Sequence, residues 1–212
     1  MSRPLVIAVD GPAAAGKGTL AKALAARLGL PYLDTGLLYR AVARRMVNAG
    51  LDPAGDAAAQ AQALQPEDLA RTDLRVPEID RGASLVAAQP AVRAALLDRQ
   101  RVFATQTGAV VDGRDIGTVV FPDADVKFFI TASPRTRALR RHRQVYGEAL
   151  LAEAELETAV AEIVARDSRD SSRDTAPLVQ AVDAVLIETD GLSAEQVLEK
   201  ACEEVARRKV CS

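Results

Sequence analysis

Lys17 directly follows Gly16, and four residues separate Gly11 from that pair, so GPAAAGKGT from Gly11 to Thr19 has the spacing of a loop that wraps phosphates. Small residues let backbone N–H groups turn inward, and a following helix adds partial positive charge. A lysine at position 17 places a full charge on the outer phosphates. The stretch Gly11, Pro12, Ala13, Ala14, Ala15, Gly16, Lys17, Gly18 and Thr19 therefore predicts a nucleoside triphosphate cradle, with Lys17 as an exposed loop cation. Gly18 occupies the place where such loops usually carry a hydroxyl. Thr19 follows it and is the candidate to meet a metal ion. The bland alternative, a glycine-rich turn that binds nothing, is disfavoured by the flanks: Leu5 to Val9 is strand-like, and Leu20, Leu24 and Leu28 recur at helical spacing.

GAVVDGRD, Gly108 to Asp115, is the second chemical stretch. Ala109 to Val111 reads as a buried strand, which puts Asp112 at its C-terminal edge, where open parallel sheets bind ligands. Asp112 can hold Mg²⁺ through water, or it is simply a turn aspartate before Gly113. Arg114 and Asp115 project from the same loop. A third cluster places Arg135, Arg137, Arg140, Arg141, His142 and Arg143 behind the cap Ser133 and Pro134. Five arginines so close repel one another unless anions or acids neutralise them, which favours a phosphate-covering lid over a solvated face. His142, the single histidine, reads as a surface residue.

These residues need elements to hold them. Leu30 to Leu33 predicts a second strand, and Asp34 or Thr35 caps a helix that carries Leu38, Tyr39, Val42 and Met46, with Arg40 in its first turns. Arg40 is either a solvated helix charge or a phosphate contact. Positions 48–70 are Ala- and Gln-rich and predict a loop, a weak helix and another loop. Val76 to Ala83 begins a helical region, and Pro90 to Thr105 predicts an amphipathic helix with Val92, Ala95, Leu96, Arg99 and Phe103 in register. Ser84 and Arg93 look like ordinary polar surface. An acidic helix over Leu150 to Val164 runs into ARDSRDSSRDTAPL, where Arg166, Arg169 and Arg173 alternate with Asp167, Asp170 and Asp174 and Pro177 stops the helix. Ala184 to Ile187 is the last strand, and Ser193 with Gln196 forms a capping box for a closing helix.

The alternation of strand and helix predicts an α/β fold with a parallel sheet flanked by helices. A length of 212 residues suits one such domain with small insertions. Charge is nearly balanced, 27 Lys and Arg against 29 Asp and Glu, and there is no Trp, so neither a bulk polyanion nor stacked single-stranded nucleic acid is implied. Cys202 and Cys211, the two cysteines, are too few for a disulfide framework or a zinc site and are expected to be inert thiols. With no membrane-length apolar run and no signal-like N-terminus, the expected location is the cytoplasm.

GPAAAGKGT, DTGLLYR, VAAQPAVRAALLDRQRVF, VVDGRDIGTVVFPDADVKFFITAS, RDSRDSSRDTAPL and LSAEQVLEKA together resemble the bacterial-type cytidylate kinases, which are nucleoside monophosphate kinases. The phosphate loop alone, with its GKGT variant, would indicate only the superfamily; GRDIGTVVFPDA is the specific part. The resemblance implies transfer of the ATP γ-phosphoryl to CMP or dCMP with Mg²⁺, held by Thr19 and Asp112. It implies that Lys17, Arg114, Arg137, Arg140 and Arg141 act on the transferring phosphates. Arg40 and Arg114 would hold the acceptor phosphate, Thr35, Tyr39, Arg93, Asp115 and Arg173 the pyrimidine, and Ser84, Arg166 and Asp170 the sugar. It divides the chain into a core of 1–33, 106–136 and 174–212, an acceptor-binding insertion at about 34–105 and a lid at about 137–173. A monomer is expected, with ATP and CMP or dCMP as its partners. Family members of ordinary length carry a β-hairpin segment for which Leu69 to Leu74 leaves no room, and Thr35 stands where Ser is common. The competing readings are a kinase for UMP, AMP or a non-nucleotide hydroxyl, and a nucleotide-dependent switch or ATPase. No N-K-x-D guanine motif occurs.

Overall fold

The structure is a computed structural model and describes residues 3–210, so the expectation for Cys211 lies outside the described residues. In chain order its elements are β1 (Val6–Asp10), α1 (Lys17–Leu28), β2 (Tyr32–Asp34), α2 (Thr35–Asn48), α3 (Ala58–Gln62), α4 (Pro66–Leu69), α5 (Pro77–Val86), α6 (Pro90–Ala104), β3 (Ala109–Asp112), β4 (Val126–Thr131), α7 (Pro134–Tyr146), α8 (Glu153–Ser171), β5 (Val185–Glu188) and α9 (Ala194–Val210). The strands form a parallel sheet in the order β2-β3-β1-β4-β5. The chain crosses from β1 outward to β2, fills the gap with β3, and then continues on the other side of β1. Ligand crevices of parallel sheets open at that reversal, at the carboxyl ends of the strands. Asp10, Asp34 and Asp112 all end their strands there, with Asp34 and Asp112 paired in register.

The apolar interior falls into separate clusters. Ile7, Val9, Phe128 and Ile130 of the sheet pack against Leu20 and Leu24 of α1 and Val197 and Ala201 of α9. Val111, Ile116 and Val120 cover the opposite face. A distinct cluster of Leu38, Val42, Met46, Leu74, Ile79, Val92 and Leu96 joins α2, α5 and α6, and a small one of Ala138, Leu156 and Ile163 joins α7 to α8.

Several boundaries differ from the pattern-based expectation for local reasons. β2 begins at Tyr32, two residues after Leu30, because Gly29 closes α1 in the left-handed region and the Leu30 amide is spent on the Ala25 carbonyl of that cap. Pro66 opens a helical turn where a loop is expected, since Gln65 and Asp68 form a reciprocal cap. A short helical turn at Thr72–Leu74 completes the stretch that is too short for a hairpin. In α6 the buried side runs through Val92, Arg93, Leu96, Gln100 and Ala104, and Phe103 is partly exposed. Apolar periodicity misplaces that face because two of its members are polar. α8 begins at Glu153 and ends at Ser171, short of Pro177, so Arg166, Asp167, Arg169 and Asp170 are helical; the Asp170 carbonyl turns instead to Leu178 N and the Arg173 Nε. The caps at Ser133 and at Ser193 with Gln196 are as expected.

Candidate active site

Gly11 carries φ +142°, and a Cβ built on it would lie 2.0 Å from the Ile130 carbonyl oxygen, so the loop leaves β1 by a path open only to glycine. The loop carbonyls are then taken up by side chains of the same protein. Lys17 Nζ donates to Pro12 O at 2.9 Å, Arg137 NH1 to Ala13 O at 3.3 Å, and Arg140 NH1 to Ala15 O at 3.3 Å. Thr189 Oγ1 donates to Ala15 O at 3.0 Å and receives Arg140 NH1 at 2.8 Å. A loop whose carbonyls face its own cations can present its N–H groups to an anion.

Lys17 is buried, 5% exposed, which corrects the expectation of an exposed loop cation. It opens α1 beneath the loop, and its side chain lies between Pro12 and Asp112, the latter 3.9 Å away. Burial and the neighbouring Arg114 lower its pKa to about 8, a cost that a bound phosphate would offset. Asp112 is pushed upward by burial, against the pull of Lys17.

These groups line one cavity of about 1070 Å³ that continues from the loop to the second arginine set. Lys17, Lys22, Arg40, Arg75, Arg93, Arg114, Arg140, Arg141, Arg166 and Arg173 line it, against Asp34, Asp80, Asp112, Asp115 and Asp170. Ten cations facing five carboxylates make a site for a ligand with several negative charges. Arg137 is not among the lining residues; its guanidinium runs behind the loop, from Ala132 O at 2.9 Å to Asp167 at 3.0 Å.

In the far half, Asp115 Oδ2 forms a buried ion pair with Arg93 NH2, and the Arg93 guanidinium lies 5.5 Å over the Tyr39 ring. Arg93 is therefore no surface residue. Ser84 Oγ donates to Asp170 Oδ1 at 3.3 Å; Asp170 also receives Arg114 Nε at 3.2 Å and forms an ion pair with Arg173, whose NH2 lies 3.3 Å from Oδ1. Arg166 is half-buried, with its Nε out of reach of solvent and unpartnered, and desolvation followed by Arg114 brings its pKa down to about 10. Thr35 is buried, its hydroxyl donating to Asp112 O at 2.8 Å. A Cβ on Gly113 would meet Thr35 Oγ1 at 2.8 Å and Ile116 at 2.5 Å, so the position beside the Thr35 hydroxyl must stay small. His142 lies away from this cavity, with Nε2 3.0 Å from Ala149 O.

Among the described residues no group of three or more His, Cys, Asp and Glu forms a metal cage. That donor set fits Mg²⁺, which keeps water and phosphate oxygens and needs only one or two carboxylates. Asp112 is suitably placed, and a Cβ on Gly18 would lie 3.1 Å from its Oδ2, so the usual hydroxyl position faces this carboxylate. Thr19 also lines the cavity but is exposed.

Two carboxylates of this region escape motif reading. Asp80 accepts Arg40 Nε at 2.8 Å and also pairs with Arg141 NH2. Asp10 accepts the amides of Ile116 at 2.8 Å and Gly117 at 2.7 Å, which fixes the start of the helical turn Ile116–Val120 directly after Asp115. The available signal was an aspartate ending a strand just before Gly11. Burial raises the Asp10 pKa to about 7, against those two N–H donors. In the unfolded chain it titrates near 4, so between about pH 4 and pH 7 the folded state holds the extra proton and stability falls as pH rises. Urea unfolding should show wild type losing stability relative to Asp10→Asn across that window, by on the order of 1.4 kcal/mol per pH unit at the steepest, and levelling above it. A difference that grows with pH would mean the two amides outweigh burial.

Comparison with known proteins finds similarity over nearly the whole chain. The family model described as cytidylate kinase matches residues 7–207. A cytidylate kinase of Granulibacter bethesdensis is 58% identical over 97% of this chain and 98% of its own length. One of Acidiphilium cryptum is 56% identical over 96% of each. Among solved structures, an uncharacterized protein from Eubacterium ventriosum aligns at a TM-score of 0.54 with 14% identity, covering 95% of this chain and 98% of that one, a likeness of fold alone. With a phosphate loop, a second set of arginines and this family match over residues 7–207, the chain belongs to the cytidylate kinase family.

Proposed function

We propose that this protein transfers the γ-phosphoryl group of ATP to CMP or dCMP, giving ADP and CDP or dCDP. The observation that carries the reading is the single cavity joining the Gly11–Thr19 loop to a second set of arginines around the buried Arg93–Asp115 pair. A switch or simple ATPase has no use for that second set. Phosphoryl transfer relies on positioning and charge stabilisation, and no protein general base is needed.

Lys17, with the loop amides, holds the triphosphate and neutralises the charge that develops on the moving group. Arg140 and Arg141 reach the same cavity from α7, and Arg137 braces the loop from behind. Arg40 and Arg114 hold the acceptor phosphate. Thr35, Tyr39, Arg93, Asp115 and Arg173 enclose the base, and Ser84, Arg166 and Asp170 the sugar. Asp112, through water, with Thr19 near, would hold the Mg²⁺ that accompanies ATP, which would supply positive charge against the charge on the phosphates. The separate apolar clusters support treating about 34–105 as an acceptor-binding insertion and about 137–173 as a lid on a single kinase domain. No helix is long and apolar enough to cross a membrane among the described residues. We take the enzyme to be a cytoplasmic monomer.

The test is acceptor dependence. With ATP and Mg²⁺ supplied, ADP should form rapidly only when CMP or dCMP is added; equal ADP formation without any acceptor would overturn the kinase reading.

A further inference from the structure

Asp80 is 4% exposed, yet none of the roles above uses it. It lies on α5, which packs on α2, while Arg141 lies on α7, which packs on α8. The carboxylate joins these two helix pairs. Oδ1 accepts Arg40 Nε at 2.8 Å and Oδ2 pairs with Arg141 NH2, so each oxygen serves one arginine from a different body. Gripping Arg40 through Nε fixes the plane of its guanidinium and leaves its terminal nitrogens for other partners; NH1 stands 3.9 Å from Asp34 Oδ1. Arg141 is steadied from the other side by Gln144 Oε1 at 3.3 Å. Burial works to raise the Asp80 pKa, but Arg40, Arg141 and Arg166 together hold it below the ordinary carboxylate range, so the bridge is ionic at neutral pH.

We propose that Asp80 is a positioning residue that links the two halves of the site: by holding Arg40 and Arg141 on opposite oxygens, it couples acceptor binding to closure of α7 and α8 over the triphosphate. This rests on the assignment of Arg40 to the acceptor phosphate and Arg141 to the triphosphate. A ligand that fixes Arg40 fixes Asp80, and through it Arg141. Coupling of this kind is reciprocal, so CMP must tighten the triphosphate by the factor by which the triphosphate tightens CMP. A carboxylate that merely balanced a crowded arginine cluster would support folding without linking the two affinities.

The experiment measures the Kd of a non-hydrolysable ATP analogue with and without saturating CMP, in wild type, Asp80→Asn, Arg141→Gln and the double variant. Wild type should show coupling of about fivefold or more, within the usual range for linked sites. Each single variant should bring the factor close to one, and the double variant should lose no more than the worse single, because both remove one link. Arg141→Gln leaves Asp80 paired with Arg40, so it serves if Asp80→Asn folds poorly. Wild-type coupling in a folded Asp80→Asn or Arg141→Gln protein, or losses that multiply in the double variant, would overturn the proposal. A second readout needs no nucleotide: hydrogen exchange across 137–147 should rise in both single variants. Unchanged exchange there would remove the tether. A wild type that binds no CMP overturns the functional reading instead, leaving the exchange result to decide the tether.

Discussion

Lys17→Ala should lower turnover by about a hundredfold or more, the scale seen when one preorganised donor to developing charge is removed. The loss should fall mainly on kcat, because the ammonium neutralises charge that grows along the reaction, while the loop amides continue to hold the ground-state triphosphate. Its burial changes what is expected of stability. The side chain is packed beneath the loop at 5% exposure, its cation is desolvated and lies near Arg114, and its loss leaves the Pro12 carbonyl without that donor. Those effects oppose one another, so thermal unfolding should move by only a few degrees. Lys17→Met, which keeps most of the stem, separates packing from charge and should be as inactive as the alanine variant. Near-normal turnover in either folded variant would contradict the site.

The second large effect concerns the base. Cytosine offers an amino donor where uracil presents a carbonyl, and Asp115, with Oδ2 engaged by Arg93, can accept from that amino group. Replacing Asp115 by alanine would leave Arg93 buried without its counter-charge, a change expected to cost about 3–5 kcal/mol of stability. Asp115→Asn is therefore the sharper probe. Its amide carries both a donor and an acceptor, so it serves cytosine less well and uracil less badly. kcat/KM for CMP should fall by at least about tenfold, and the preference over UMP should shrink with it. A preference that survives the substitution would place base selection elsewhere in the cavity.

The sequence carried the scaffold of this site more plainly than its wiring. The phosphate loop, Asp112 at its strand end and the Ser133 cap are local patterns, because each depends on a turn, a strand edge or the first helical turn. Arg93 looked like surface since its helix is amphipathic by apolar residues alone, whereas the buried stripe includes Arg93 and Gln100. Asp80 and Asp10 carried no readable role because their partners lie 40, 61, 106 and 107 residues away along the chain. A lone aspartate has no periodicity, and only the fold shows which donors converge on it. The burial of Lys17 was hidden for a similar reason: loop composition predicts an exposed cation, but Asp112 and Arg140 close around the loop from distant segments.

Acceptor choice is read by steady-state kinetics of the wild-type protein with ATP, Mg²⁺ and, side by side, CMP, dCMP, UMP and AMP. CMP or dCMP should exceed UMP and AMP in kcat/KM by at least about a hundredfold, a discrimination within reach of a site that hydrogen-bonds the distinguishing group. Equal use of CMP and UMP, or a preference for AMP, would contradict the proposed acceptor.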